Sequence, residues 1–272
     1  MNTARALSPG PVRRAAQLTL GMAQLAPRGL SEDWWLRHLG DVHWQLIADA
    51  VGQNNTVFRD AKGRQIYAAF CATEFAQTRP ERAGLGGAVA LDSTLWAAGR
   101  SRLQSIHHLR CDGEEVARFR LISTFVTHEE PGVNASVCRA NPYLLPVLPQ
   151  APDSFAQETS ALARRQRAGA QIASARVTLH PCLGSDFNAV GLLYFPSYSR
   201  MFEQAEAQMT ATRSWSPLRH RLVTYFSNIE AGDRVLATRA DCESGSMTLW
   251  HDGPDGRCLA QSLCTRHSPS TV

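Results

Sequence analysis

Residues 186–206 read Asp186-Phe-Asn188-Ala-Val-Gly191-Leu-Leu-Tyr-Phe-Pro196-Ser-Tyr198-Ser-Arg-Met201-Phe202-Glu-Gln-Ala205-Glu. This stretch decides the fold. Asp and Asn favour turns because their side chains bond backbone groups two residues on, and a glycine follows them. Pro196 suits the first turn of a helix, where its missing N–H is no loss. Behind it, Tyr198, Met201, Phe202, Ala205 and Met209 recur at helical spacing. The spacing predicts a helix over about 196–211 with one apolar face. A polar, flexible turn is thereby set at a helix N-terminus, whose free N–H groups favour negative charge.

Outward from this stretch the chain reads as one unit repeated. Val177-Thr178-Leu179 predicts a strand before the turn, and strands are expected after the helix over about 219–229, 233–243, 245–251 and 257–267. In the first half, Leu18-Thr19-Leu20 leads to a turn at Pro27-Arg28-Gly29 and a helix over about 31–51. Ser31 is its cap, Glu32 and Asp33 sit in its first turn, and Leu36, Leu39, Leu46, Ile47 and Ala50 form its apolar face. Strands are expected over about 65–77, 88–96, 99–111 and 115–128. The two unit ends echo each other. Asp112-Gly113 leads through Val116-Ala117 to Thr127-His128, and Asp255-Gly256 leads through Leu259-Ala260 to Thr265-x-His267. Both are hairpin signals. A long helix followed by consecutive antiparallel strands makes a sheet wrapped around one helix. The expectation is an α+β chain with an N-terminal arm at 1–16, a first unit at 17–131, a linker at 132–170 and a second unit at 171–272. Pro142, Pro146, Pro149 and Pro152 mark the linker, and a short helix is expected over about 158–170.

Composition narrows the function. The 272 residues are 44% apolar and 19% charged, with a formal net charge of +4. That charge is spread along the chain, so no nucleic-acid partner is expected. No apolar run is long enough to span a membrane, and Arg5, Arg13 and Arg14 are not followed by an apolar signal segment. Seven cysteines with no CxxC pair read as reduced thiols and a cytoplasmic setting. Lys62, in a turn-like Asp-Ala-Lys-Gly, is the only lysine, which argues against Schiff-base chemistry. His38 and His43 are separated by about 140° around their helix, and the adjacent His107 and His108 point to opposite faces of a strand, so no metal site is expected. Nucleophile-elbow, P-loop and dinucleotide-binding patterns are absent.

The motif Asp186-x-Asn188-x-Val190-Gly191-Leu192-Leu193-Tyr194-Phe195-x-Ser197-Tyr198 resembles the bifunctional acyltransferase/decarboxylase family of the leinamycin pathway. It also looks like the substrate-binding turn and central helix of hotdog-fold thioester enzymes. Further matches are Leu39-Gly40-Asp41-x-x-Trp44, Val57-Phe58-Arg59, Tyr67-x-Ala69-Phe70 and Thr265-x-His267, so the resemblance runs from about Leu18 to His267. It implies a tandem double hotdog and a malonyl- or methylmalonyl-CoA substrate, with no cofactor beyond that CoA thioester. The implied reaction is decarboxylation with transfer of the acyl group to an acyl carrier protein, in polyketide biosynthesis. A homodimer is left open. A hotdog thioesterase or plain acyltransferase, and a non-catalytic acyl-binding module, are the alternatives.

The resemblance also assigns residues. Tyr67 matches the tyrosine implicated in catalysis, as acyl acceptor or proton donor. On residue type alone a strand tyrosine ordinarily keeps its ring in the core. A phenol with a pKa near 10 is a poor nucleophile, but it can donate to the enolate that decarboxylation creates. Asp186 and Asn188 are further catalytic candidates beside their ordinary role in turns. The Gly191 and Leu192 N–H groups are expected oxyanion donors. Ser197, a natural helix cap, and His43 are candidates for the substrate pocket. Arg79, Arg82, Arg164, Arg165 and Arg167 are candidates for meeting an acidic carrier protein or CoA phosphates.

Overall fold

A computed structural model describes residues 10–144, 147–168, 173–210, 216–240 and 245–268. The first half comprises β1 (Val12–Thr19), α1 (Glu32–Ala50), β2 (Gln65–Gln77), β3 (Ala88–Ala97), β4 (Arg102–Cys111) and β5 (Glu114–His128). A connecting helix, α2, follows at Phe155–Ala168. The second half comprises β6 (Ala173–Leu179), the short α3 (Leu183–Asp186), α4 (Phe195–Met209), β7 (Leu218–Tyr225), β8 (Val235–Ala240), β9 (Ser246–His251) and β10 (Cys258–Arg266).

The long strands form one antiparallel sheet, in the order β1-β3-β4-β5-β2-β7-β10-β9-β8-β6. From its outer edge inward, the first half runs β1-β3-β4-β5-β2 and the second runs β6-β8-β9-β10-β7. The order is the same, five places on in sequence, so the repeat read from sequence is a repeat in topology. The halves join where Ala72–Ala76 of β2 pairs with His220–Thr224 of β7. Two short strands, Phe58–Arg59 on β2 and Val137–Arg139 on β5, extend the sheet.

Each half closes over its own helix. Trp35, Leu36 and Leu39 of α1 are buried with Phe75, Leu91 and Phe119. Tyr198, Met201, Phe202 and Ala205 of α4 are buried with Val223, Val235, Leu249 and Leu259. Each such large apolar side chain contributes about 1.5–3 kcal/mol by leaving water. The two helices approach at Gly40, where a Cβ would stand 2.9 Å from the Phe195 ring. α2 lies on the other side of the sheet. Ala72 packs with Phe155 of α2, whereas Phe75 packs under α1, and an odd spacing on a strand means opposite faces.

Three expectations are corrected. β1 begins at Val12, so the arm expected over 1–16 is already strand at its end; residues 1–9 lie outside the described residues. Arg14 fixes this strand by forking onto Asp49 of α1, Nε to Oδ2 at 2.5 Å and Nη2 to Oδ1 at 2.9 Å. The segment 132–170 is more than a linker, since it supplies a strand and α2. α2 starts at Phe155, earlier than expected, because the Phe155 ring packs under Arg120, which is paired with Glu74 and Asp153. Third, Asp112-Gly113 is a tight turn with φ of 51° and 80°, but Asp255-Gly256 lies in a longer loop between β9 and β10. No described helix is long and apolar enough to cross a membrane.

Candidate functional site

The turn between α3 and α4 is built on Asn188. Its Oδ1 accepts the N–H groups of Val190 at 3.1 Å and Leu192 at 3.0 Å. Its backbone N–H donates to the Leu192 carbonyl at 2.8 Å, and the Gly191 N–H returns to the Asn188 carbonyl at 3.0 Å. Gly191 takes φ +82°, a conformation that costs residues with a Cβ. Asn228 clamps the far end, accepting from Leu193 N–H at 2.8 Å and donating to the Leu193 carbonyl at 3.2 Å.

A second polar chain ties this turn to the other half. Asn134, buried in the connecting segment, donates through Nδ2 to the carbonyls of Gly191 and Ile229, both at 2.7 Å. With both amide hydrogens committed, its Oδ1 faces His128 Nε2 at 3.2 Å and accepts from it. His128 therefore carries a proton on Nε2. Its ring meets the Tyr67 ring edge-on at 5.9 Å.

Tyr67 stands on an open strand edge. β2 pairs with β7 only from Ala72 to Ala76, and with Phe58–Arg59 only at Gln65 and Ile66. Tyr67–Phe70 thus have a strand partner on the β5 side alone, and Cys71, in the bulge between Phe70 and Ala72, marks the end of the open stretch. A cavity of about 1420 Å³ occupies the gap. Every residue from Tyr67 to Ala72 lines it, because both faces and the backbone edge of the strand are reached there. One wall is the turn and the start of α4, through Asn188, Leu192, Leu193, Tyr194 and Phe195. The opposite wall carries Thr159, Ser160 and Arg164 of α2.

The wall is lopsided in charge. Arg37, Arg102, Arg139, Arg164 and Arg257 line it, and Asp41 is its one carboxylate among the described residues. Arg37 is paired with Asp33, and Arg257 with Asp255. Burial pushes the Tyr194 phenol up to about 12, and Asp41 adds to that. Burial also raises Tyr198 and Tyr225, whose hydroxyls bond the Ser227 carbonyl and Thr73 Oγ1. These three tyrosines are neutral hydrogen-bonding groups at neutral pH. The Tyr67 hydroxyl has no hydrogen-bond partner among the described residues and is left to the cavity.

The residues singled out from sequence thus divide. Tyr67, Asn188 and Leu192 line one cavity. Asp186 does not. It is 1% exposed, its carboxylate takes Arg200 Nε at 3.0 Å and Nη2 at 2.8 Å, and it accepts the Cys182 N–H at 2.8 Å. It anchors α3 and the turn from behind. Ser197 is buried and donates Oγ to the Asp186 carbonyl at 3.0 Å, so it too belongs to the anchor. The Gly191 and Leu192 N–H groups are consumed within the turn, which removes them as oxyanion donors in this conformation. His43 is buried away from the cavity, its ring nitrogens 2.7 Å from Ser105 Oγ and Ser123 Oγ, and burial lowers its pKa to about 3. Of the arginines suggested, Arg164 lines the cavity, Arg79 and Arg82 pair with Glu114, and the side chain of Arg167 lies outside the described residues.

Asn134, Arg102, Arg139 and Asp41 were missed. Asp41 was visible in Leu39-Gly40-Asp41 as an exposed acid one helical turn from Arg37, but only the packing of α1 on α4 brings it beside Tyr194. Asn134 had no signal, because its partners are carbonyls 57 and 95 residues away.

No protein-family model matches the chain, and no curated protein sequence matches it. Solved structures do. A 12:0-acyl-carrier-protein thioesterase from Umbellularia californica superposes with TM-score 0.64 at 12% identity, covering 94% of this chain and 97% of that one. An acyl-carrier-protein thioesterase from Bacteroides thetaiotaomicron superposes with TM-score 0.62 at 10% identity, covering 94% and 98%. At such identities the likeness is one of fold, over nearly the full length of both proteins.

Proposed function

We propose that this chain is a tandem double-hotdog enzyme, its first unit reaching from β1 to β5 and its second from β6 to β10, that acts on acyl thioesters. The reaction we favour is decarboxylation of a malonyl- or methylmalonyl-CoA, with transfer of the acyl group to an acyl carrier protein. One observation carries the reading: a single cavity joins Tyr67 to the Asn188 turn, and arginines outnumber carboxylates on its wall five to one. Such a wall suits a substrate that brings a carboxylate and phosphates.

In the chemical step the bond between the α-carbon and the carboxylate breaks and carbon dioxide leaves. The electron pair passes into the thioester as an enolate. The Tyr67 phenol, on the wall and without a hydrogen-bond partner among the described residues, hydrogen-bonds the enolate or gives the α-carbon its proton, and the phenolate regains one from solvent. The acyl group then moves as the carrier thiol attacks the carbonyl and the coenzyme thiol leaves. Asn188 shapes the turn facing that carbonyl, and the start of α4 adds its positive end.

A second reading is hydrolysis, supported by the fold shared with acyl-carrier-protein thioesterases. It requires a base on the wall. Asp186 is committed to Arg200, so the base would be Asp41, whose carboxyl is raised by partial desolvation despite its exposed position. Incubation with methylmalonyl-CoA and a carrier protein, read by mass spectrometry, separates the readings. Propionyl product supports decarboxylation, methylmalonic acid with free CoA indicates hydrolysis, and binding without product indicates a non-catalytic module.

A further inference from the structure

Three of the five cavity arginines face no carboxylate. Arg102 donates to Ser160 Oγ at 2.9 Å, and neither Arg139 nor Arg164 makes an ion pair among the described residues. Strand register places two of them together. Arg102 of β4 is opposite Thr124 of β5, and Arg139 of the short strand is opposite Val126. Thr124 and Val126 are two apart, so they and their partners share a face. On the other side of β5, Val126 is paired with Tyr67. Tyr67, Val126 and Arg139 therefore form one row across three strands, with Arg139 roughly 10 Å from Tyr67 at two strand spacings. Arg164 of α2 lines the same cavity from above this face.

We propose that Arg102, Arg139 and Arg164 form a phosphate subsite that holds the phosphorylated pantetheine end of the donor while Tyr67 meets its acyl end. The assignment rests on the thioester reading above. Three guanidiniums without carboxylates match more than one phosphate, as in coenzyme A, although the single phosphate of a carrier-protein arm presents the same chemistry. Arg139 and Arg164 are exposed, so their truncation leaves the cores intact.

Isothermal titration of the full chain with coenzyme A, 4′-phosphopantetheine and pantetheine tests this without needing turnover. Coenzyme A binds more tightly than pantetheine, the difference shrinks as salt is raised, and Arg139→Ala and Arg164→Ala each weaken coenzyme A by about tenfold or more. Pantetheine affinity stays the same across these variants, and Arg139→Lys restores part of the loss. Coenzyme A tighter than 4′-phosphopantetheine assigns the site to the nucleotide phosphates, and equal affinity assigns it to the arm phosphate. Coenzyme A binding no tighter than pantetheine, or equal losses for both ligands, overturns the subsite. Tight coenzyme A binding without turnover of any acyl thioester would instead remove the catalytic reading and leave the subsite standing.

Discussion

The N-termini of α1 and α4 hold corresponding places in the two halves, and the chain treats them in opposite ways. At α1, Ser31 Oγ caps the Trp34 N–H, and Glu32 and Asp33 fill the first turn. Glu32 meets the fully buried Arg221, which also holds Glu203 of α4 at 2.7 Å. The preceding turn is plugged by Gln77: its Oε1 accepts the Leu30 N–H at 2.8 Å and its Nε2 donates to the Leu218 carbonyl at 3.1 Å. At α4 there is no side-chain cap and no acid in the first turn, and Tyr194 and Phe195 open onto the cavity. A helix N-terminus already faced by carboxylates has nothing to offer an anionic substrate, whereas a bare one does. One end of the repeat is a brace and the other lines a cavity.

Breaking the brace has the largest expected effect on stability. Arg221→Ala leaves Glu32 without its cation and removes one of the two arginines that hold Glu203, and should cost about 3–5 kcal/mol in denaturant unfolding. Burial pushes the Glu32 carboxyl up against the pull of Arg221, while Arg221 and Arg266 hold Glu203 down to about 2 against its own burial. A loss below about 1 kcal/mol would show that the network is not a brace.

Next in size is the effect of acid. His43 of α1 and His107 of β4 lie in one buried chain of serines and histidines, and burial lowers both pKa values, that of His43 to about 3. The unfolded chain takes up protons at these residues below pH 6.5 while the folded chain does not. Stability is therefore unaffected by them above pH 6.5 and falls as pH drops toward 3. The slope is at most about 1.4 kcal/mol per pH unit for each histidine. Equilibrium unfolding between pH 7 and 5 reads it, and His43→Gln should flatten it.

Smaller changes sharpen the contrast. Gln77→Ala removes the plug and should cost about 2 kcal/mol, because the Leu30 N–H and Leu218 carbonyl lose a buried partner. Thioester turnover should stay within about twofold, since Gln77 is remote from the Tyr67 cavity. Asp186→Asn loses the charge facing Arg200, and thermal unfolding should register about 1–2 kcal/mol. Its kcat should remain within about twofold of the parent. A collapse of kcat in a folded Asp186→Asn protein would return that carboxylate to the chemistry.

The repeat was legible because it is local. The apolar faces of α1 and α4 and the strand at 65–77 follow from periodicity, and Ser31 and Pro196 mark where helices begin. The site was legible only where chemistry coincides with a turn signal, as at Asn188, or with the family resemblance, as at Tyr67. Asp186 misled because an acid at a turn looks the same whether it faces a cavity or an arginine 14 residues on. The arginine row was hidden because Arg102 and Arg139 become neighbours only through the register of β5.

The most direct test is mass spectrometry of the parent and of Tyr67→Phe, each incubated with methylmalonyl-CoA, alongside their coenzyme A affinities. The parent should form a propionyl thioester. Tyr67→Phe should lose about 10²–10⁴-fold in rate while its affinity holds. Propionyl formation by Tyr67→Phe at the parental rate would contradict the placement of the reaction at the open edge of β2.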